Sequence, residues 1–93
     1  MSLYLKDPDA RIDYAIDWGA AYLDGQIIAD SEWTVTPDEE GGPIVEVASF
    51  DLRRTAATVS GGVPGRIYRI GNRVTLSDGR GDERSLTLRV EDR

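Results

Sequence analysis

Two side chains that carry much of enzyme chemistry are absent from this sequence, which has no histidine and no cysteine. Ser–His and Cys–His nucleophiles and ordinary zinc sites are therefore excluded. The side chain best suited to proton transfer near neutral pH is missing as well. Acid–base chemistry would have to rely mainly on carboxylates, of which the chain has 17.

The best-spaced carboxylates, Asp13 and Asp17, are four residues apart in the sequence. On one face of a β-strand they would lie about 13 Å apart, whereas the carboxylates of a glycosidase are separated by about 5–9.5 Å. Solvent-facing acids on an exposed sheet surface are the simpler interpretation. We therefore expect no catalytic residue, no cofactor, no small-molecule substrate and no enzymatic activity.

Acidic residues in the predicted loops raise the alternative of a calcium site, as in cadherin-like sandwiches, because Ca²⁺ takes oxygen ligands. Their spacing matches no defined calcium loop such as the EF-hand. We therefore expect no metal site. The residues concerned are Asp7, Asp9, Asp38, Glu39, Glu40, Asp78, Asp82 and Glu83.

Arg80-Gly81-Asp82 is the tripeptide that integrins recognise. A three-residue match is weak, and with Asp78-Gly79 before it the segment is explained by turn chemistry. Residues 1–7 lack the basic and then apolar segments of a signal peptide, and no apolar run approaches the roughly 18 residues that span a bilayer. We expect neither integrin binding, nor secretion by a signal peptide, nor a membrane partner.

Charge is distributed unevenly along the chain. Residues 1–51 hold twelve acids and two bases, whereas residues 52–93 hold five acids and nine arginines. The overall charge of −6 argues against a nucleic-acid partner, since phosphate contacts need clustered basic residues. The asymmetry instead predicts a polar molecule with an acidic side and a basic side, suited to protein association.

Three arginines, Arg69, Arg73 and Arg89, are predicted to share one outward face of a sheet. The aromatic residues that could stack on bases, Tyr68 and Trp33, are predicted to be buried, which again disfavours nucleic acid. A planar guanidinium suits a protein partner that presents carboxylates. We therefore predict that the three arginines form a basic partner-binding face, with the acids of the N-terminal half mostly elsewhere.

Alternating apolar residues predict the strands that position these side chains. Ile12, Tyr14, Ile16 and Trp18 alternate with polar or small residues, and this period of two indicates a half-buried strand. A helix over residues 9–23 fits the same positions less well. Further strands are predicted at Gln26–Ala29, Ser31–Thr36, Ile44–Ala48, Thr55–Ser60, Arg66–Ser77 and Glu83–Glu91, with Ser49–Arg54 as a connection.

About seven short strands, with turn signals every 8–12 residues, predict an all-β fold: an immunoglobulin-like, fibronectin type III-like β-sandwich. Residues 1–93 are predicted to form one domain. Val63-Pro64-Gly65 resembles the turn that enters the penultimate strand of such domains, which assigns Tyr68 to a tyrosine corner. Tyr14, Trp18, Trp33 and Tyr68 are then the structural aromatic residues.

Several segments together resemble a family of small proteins from tailed bacteriophages and prophages, described as fibre–tail adaptor or head–tail structural proteins. The family pattern is Lys-x-Pro, then Tyr-x-x-Asp-Trp, a Leu-x-x-Gly turn, and a closing Gly-Arg-x-x-Glu-Arg. Trp18 and Asp82-Glu83-Arg84 are the most specific matches. The segments are Leu5–Trp18, Leu23–Gly25, Ile28–Val35, Asn72–Arg80 and Asp82–Val90.

The resemblance implies a virion structural protein or tail adaptor, assembled in the bacterial host cytoplasm, that binds other phage structural proteins. A ring of its own copies is one arrangement that the resemblance allows. The alternative is a secreted immunoglobulin-like module that binds a carbohydrate or a receptor. Exposed, coplanar aromatic residues would favour that alternative; the candidates are Trp18, Tyr22 and Trp33, of which we expect Trp18 and Trp33 to be buried.

Overall fold

A computed structural model of the chain describes residues 2–19 and 25–92, and within these ranges it contains seven β-strands and no helix. Each strand except the first overlaps a strand that the sequence predicts. The strands are β1 (Ser2–Lys6), β2 (Ile12–Asp17), β3 (Ile28–Thr36), β4 (Ile44–Phe50), β5 (Arg54–Ser60), β6 (Ile67–Leu76) and β7 (Gly81–Val90).

The strands form two packed sheets. One has the order β1-β7-β6-β3 and the other the order β2-β5-β4. β1 runs parallel to β7, and every other neighbouring pair is antiparallel. The prediction of an all-β sandwich is confirmed, and the strand order is compatible with the immunoglobulin-like class. The helical alternative is wrong for Ile12–Asp17, which is a strand.

Three features differ from the sequence prediction, apart from shifts of one or two residues at the other strand ends. β1 was not predicted, because its pairing partner β7 lies at the other end of the chain and leaves no local signal. The two strands predicted between residues 26 and 36 are one strand, β3, in which a register shift between Ile28 and Asp30 interrupts the alternation. Phe50, assigned to a connection, is the last residue of β4.

The core lies between the two sheets in two clusters. Trp18 is 1% exposed and Tyr14 is buried, as predicted. The prediction that Trp33 is buried is confirmed only in part. Its side chain packs against the core but stays partly exposed, because β3 is an edge strand. The larger cluster contains Tyr14, Val59, Tyr68, Ile70, Leu86, Leu88 and Val90, and the smaller contains Trp18, Ile28, Val74 and Leu76.

A buried asparagine connects the two sheets. Asn72, on β6, accepts hydrogen bonds through Oδ1 from the indole N–H of Trp18 (3.2 Å) and the hydroxyl of Thr55 (2.7 Å). Its Nδ2 donates to the Ser31 hydroxyl (2.9 Å) and the Glu32 carbonyl (3.1 Å). The amide therefore has partners on both its oxygen and its nitrogen, and it holds the end of β2 and the start of β5 against β6 and β3.

Tyr68 forms the predicted tyrosine corner. Its hydroxyl accepts a hydrogen bond from the Val63 backbone N–H (3.1 Å) and donates to Glu39 Oε1 (2.5 Å). Glu39 lies in the loop before β4, so the corner also ties that loop to β6. Burial, followed by the hydrogen bond to Glu39, raises the pKa of Tyr68 above its ordinary value.

A buried lysine fixes the end of β1. The side chain of Lys6 is fully enclosed, and its Nζ donates to the carbonyls of Asp7 (2.8 Å) and Gly61 (2.7 Å). Burial lowers the pKa of Lys6, an effect that the nearby carboxylates of Asp7 and Asp9 oppose. This cation therefore joins the first strand to the turn after β5 and has a structural part that the sequence pattern did not indicate.

Candidate protein-binding face

The three predicted arginines lie on the same outward surface of the four-stranded sheet. In the β6–β7 register, Arg69 pairs with Thr87, Arg73 with Glu83 and Arg89 with Ile67. Side chains along a strand alternate between the two faces of the sheet, and these register positions all belong to the same face. The three arginine side chains therefore project from one side of the sheet. All three residues are exposed. We call the surface formed by Arg69, Arg73, Arg89 and their exposed neighbours Leu3, Leu5 and Ile67 the arginine face.

The charge of this surface is mixed. The basic partner-binding face, with the acids of the N-terminal half mostly elsewhere, stays a prediction. Arg73 stands between Glu32 on β3 and Glu83 on β7, and Asp30 follows on the same side of β3, so carboxylates border the arginines along β3. The reason is the strand order, which places a strand from the acidic half of the chain beside β6.

The arginines differ in whether they already have an acidic partner. Arg89 is paired with Glu91 (3.0 Å). Arg69 donates to the Ser85 hydroxyl (3.1 Å). Within residues 2–19 and 25–92, neither Arg69 nor Arg73 has a carboxylate oxygen within 4.0 Å. These two guanidinium groups therefore remain available to carboxylates of another molecule.

Exposed apolar side chains lie directly beside the arginines. Leu5 on β1, Arg89 on β7 and Ile67 on β6 form one row across three strands. Leu3 is 61% exposed and Ile67 is 58% exposed. Exposed apolar side chains next to arginines are the composition expected at a protein interface. Sequence analysis missed the leucines because β1 itself was not predicted.

A shallow depression lies in the middle of the same surface. It has a volume of about 160 Å³ and is lined by Thr34, Thr36, Arg69, Gly71 and Glu83. A Cβ atom at Gly71 would come within 2.7 Å of a Glu83 oxygen and 2.9 Å of the Thr34 hydroxyl oxygen. The glycine thus lets these two polar side chains close over the β6 backbone, and the depression is far smaller than an ordinary ligand pocket.

The acids considered for chemistry have structural partners. Asp13 accepts a hydrogen bond from the Thr58 hydroxyl (2.6 Å), and Asp17 accepts one from the Gly19 backbone N–H (2.9 Å). Asp17 also lies 3.8 Å from Arg54. Among the residues that the structure describes, no group of three or more potential metal ligands comes together, and no helix is long and apolar enough to cross a membrane.

The Arg80-Gly81-Asp82 tripeptide is held in turn geometry. Arg80 donates from its Nε to Asp78 (2.6 Å) and from its backbone N–H to the same carboxylate (3.0 Å). The backbone hydrogen bond lowers the pKa of Asp78. Gly81 and Asp82 already belong to β7. The segment closes the β6–β7 hairpin, as the turn interpretation predicted.

The aromatic residues give no coplanar exposed platform among those described. Trp18 is buried, and the Arg84 guanidinium lies 4.5 Å from the centre of its ring, a cation–π contact that closes the end of the core. Trp33 is partly buried. Tyr22, the third candidate, lies outside the described residues.

The comparison with known protein families gives one match to nearly the whole chain. Residues 6–89 match the model of a family described as podophage GP4 fiber-tail adaptor protein gp77. No curated protein matches significantly. The matched range includes Lys6, Trp18, Arg69, Arg73 and Arg89, but of β1 it contains only Lys6, so Leu3 and Leu5 of the arginine face lie outside it.

Proposed function

Because the chain belongs to the podophage fibre–tail adaptor family, and is thus a structural component of a bacteriophage virion, we propose that it joins two tail proteins by direct contact. The arginine face makes one of these contacts. The observation that carries this assignment is the pair Arg69 and Arg73, which have no carboxylate oxygen within 4.0 Å among the described residues. Exposed apolar side chains, Leu3 and Ile67, lie on the same surface near Arg69.

The chemistry of the face specifies its partner. Arginine forms planar, two-point hydrogen bonds to carboxylates and loses less freedom than lysine when it does so. The neighbouring side chains of Leu3, Leu5 and Ile67 are exposed. Their burial against apolar side chains of a partner stabilises the complex. We therefore propose a partner surface with carboxylates around an apolar centre, and a structural rather than catalytic role.

The acids on either side of Arg73 orient this contact. Glu32 and Glu83 lie on either side of Arg73, so a partner carboxylate is attracted to the Arg69 side and repelled from the β3 side. Charges at the rim of an interface mainly set orientation and association rate. The mixed charge of the face thus allows one docking direction.

The proposal is tested by complementing a phage that lacks this gene. The double variant Arg69→Glu/Arg73→Glu should give particles that lack fibres and fail to adsorb, whereas the wild type restores both. A matched control is Arg53→Glu/Arg54→Glu, which makes the same change of charge at exposed positions outside the arginine face. The control should assemble normally, since the exposed pair of Arg54 with Asp17 contributes little to stability.

Circular dichroism and thermal melts of both purified variants establish that they fold. If the arginine-face variant folds and assembles fibres as well as the wild type, the face is not a contact surface. If the control variant also loses its fibres, overall charge rather than this face controls assembly, and the proposal is equally wrong.

A further inference from the structure

The outer surface of the four-stranded sheet carries charges in a self-complementary arrangement. Along the row that crosses the sheet at Arg73, the order is Glu32 on β3, Arg73 on β6 and Glu83 on β7. All three residues are exposed. None of them forms an ion pair within 4.0 Å among the residues that the structure describes. The row therefore offers both a cation and anions to another molecule.

A two-fold axis parallel to the strands, between β6 and β7, would bring this row against the same row of a second copy. Such an axis exchanges the places of β6 and β7, so each residue lies opposite its own register partner in the other copy. Arg73 of each copy then faces Glu83 of the other. The contact occurs twice, because in a two-fold dimer a contact of i with j is accompanied by one of j with i. The four side chains alternate in sign around the axis.

The other charges of the surface meet no like charge under the same axis. Arg69 lies opposite Thr87. Arg89 lies opposite Ile67, against which the apolar stem of an arginine can pack. Glu32 lies on the edge strand β3, which exchanges places with β1, and its row passes the described end of β1. The whole charge pattern of the surface is therefore compatible with this pairing.

A two-fold axis at right angles to the strands fits the charges less well. If it passed through Gly71, it would exchange the row of Arg73 with the row of Arg69 and set these two guanidinium groups against each other. Like charges opposite each other at an interface are costly. The charges therefore favour two copies whose strands run in the same direction, which is the aligned packing of two sheets.

The surface is large enough for a small interface. Its central row carries Gly71 on β6 and Ser85 on β7, so neither of the two central strands has a long side chain there. Its two longest strands have ten residues each. Four strands about 4.8 Å apart, with about 3.3 Å per residue, cover about 600 Å² per copy. A total of about 1,200 Å² is at the lower end for specific interfaces, so we expect a pair that forms at raised concentration.

We propose that the arginine face, with the adjoining Glu83, binds the same surface of a second copy about a two-fold axis parallel to β6 and β7. Arg73 and Glu83 form the two central ion pairs. This inference rests on the proposed function in one respect, that the arginine face is a contact surface, and it identifies the tail protein at that contact as another copy. The pair is closed, unlike a head-to-tail ring.

The experiment measures the mass of the full chain by analytical ultracentrifugation at rising concentration. Each copy has a charge of −6, so the salt is held at about 0.15 M, where charges more than about 8 Å apart are largely screened. The wild type should change from monomer to dimer and go no further. At about 1 M salt the dimer should be weaker, because the screening length falls to about 3 Å.

Reversing the charge at one or both positions provides the decisive variants. Arg73→Glu sets carboxylates against each other at both sites, and Glu83→Arg sets guanidinium groups against each other, so each variant alone should dimerise at least about tenfold more weakly than the wild type. An equimolar mixture of the two should form a mixed dimer, because opposite charges then meet at both sites. The double variant Arg73→Glu/Glu83→Arg should dimerise like the wild type for the same reason.

The matched control is Arg53→Glu, which makes the same change of charge at an exposed position in the connection between β4 and β5. It should dimerise like the wild type. Thermal melts of every variant establish that it folds. A mixed dimer of the two single variants cannot arise from charge pairs within one copy, so it separates contact between copies from an effect on stability.

Three results would overturn the proposal: a wild type that stays monomeric at about 1 mM, single variants that fail to associate when mixed, and growth of the wild type beyond a dimer. If fibres are nevertheless lost in Arg69→Glu/Arg73→Glu, the arginine face contacts a different protein and the proposed function stands. A wild-type dimer together with normal fibres in that variant would contradict the proposed function alone.

Discussion

Asn72 is a single residue whose hydrogen-bond partners lie on β3, on β5 and at Trp18, directly after β2. Its replacement by alanine would leave the Trp18 N–H and the Thr55 hydroxyl buried without their acceptor. A buried polar group without a partner costs more than an ordinary hydrogen bond gains. The network therefore makes the fold depend on this one polar side chain.

We expect Asn72→Ala to lower the free energy of unfolding by about 2–4 kcal/mol, measured by urea denaturation. Arg73→Ala, one residue away but exposed, is the matched control and should change it by less than about 0.5 kcal/mol. Similar values for the two variants would show that the network adds nothing to stability.

Trp18 fills the smaller core cluster and is 1% exposed. Its removal leaves a cavity and also the Arg84 guanidinium without its ring. Trp18→Ala should therefore lower the free energy of unfolding by about 3–5 kcal/mol in the same urea assay. A decrease in the free energy of unfolding of less than about 1 kcal/mol would contradict the burial of Trp18.

Two buried tyrosines make the fold sensitive to alkali. Burial raises the pKa of Tyr14 and of Tyr68 above the ordinary value of 10.0. A folded pKa above the unfolded one gives stability that is present below pH 10 and is lost as the pH rises through the folded pKa. Lys6 has the opposite effect, because burial lowers its pKa. The free-energy cost of burying the charged ammonium group is relieved as the pH rises towards the ordinary value of 10.5 and the group loses its proton.

With two tyrosines against one lysine, we expect the melting temperature to fall above pH 10, together with the appearance of tyrosinate absorbance. In Tyr68→Phe, which keeps the ring but cannot ionise, the alkaline fall should be smaller, although the variant is less stable at pH 7 because Val63 and Glu39 lose their partner. An equal alkaline fall in the variant would exclude Tyr68 as a cause.

At the scale of strands and turns, the connection after β5 packs closely against β7. Gly62 has φ +111°, and a Cβ there would lie 2.6 Å from Val90 Cγ2 on β7. Gly25, at φ +81°, has nothing within 4 Å of the same position. The two glycines therefore separate the effect of backbone conformation from that of close packing.

Gly25→Ala should lower the free energy of unfolding by about 1–2 kcal/mol, the cost of a side chain in left-handed backbone. Gly62→Ala should cost more than Gly25→Ala, because Val90 must also move. Differential scanning calorimetry of the two variants compares them directly, and a larger loss at Gly25 would mean that the contact with Val90 is not tight.

On the scale of the whole molecule, positive and negative charges are intermixed on one surface. The overall charge is −6, but carboxylates of β3 and β7 stand beside the arginines of the outer sheet surface. The head-to-tail attraction between an acidic half and a basic half stays a prediction. The ring of copies that the family resemblance allows stays a prediction, to be tested by light scattering at rising concentration and low salt.

Calcium provides a further test for the whole molecule. Any ion that binds only the folded state must raise its melting temperature. Since no cluster of three or more acidic ligands occurs in the described ranges, we expect the melting temperature to be the same with and without millimolar calcium. A rise of several degrees would restore the calcium-binding alternative.

The fold class was predictable because the information lies in local alternation. Ile12, Tyr14, Ile16 and Trp18 point to one side of a strand whatever lies opposite them. Tyr68 was likewise placed correctly, since the turn before it carries its own glycine and proline signals. The family followed from short motifs within the matched range 6–89.

Other features depend on which strands become neighbours, and only the tertiary structure decides that. β1 exists because β7, about 80 residues away in sequence, offers its backbone. Glu32 borders Arg73 because β3 pairs with β6. The sequence by itself determined which side of each strand is apolar, since that depends on residues two apart; the charge of a surface depends on pairing across the whole chain.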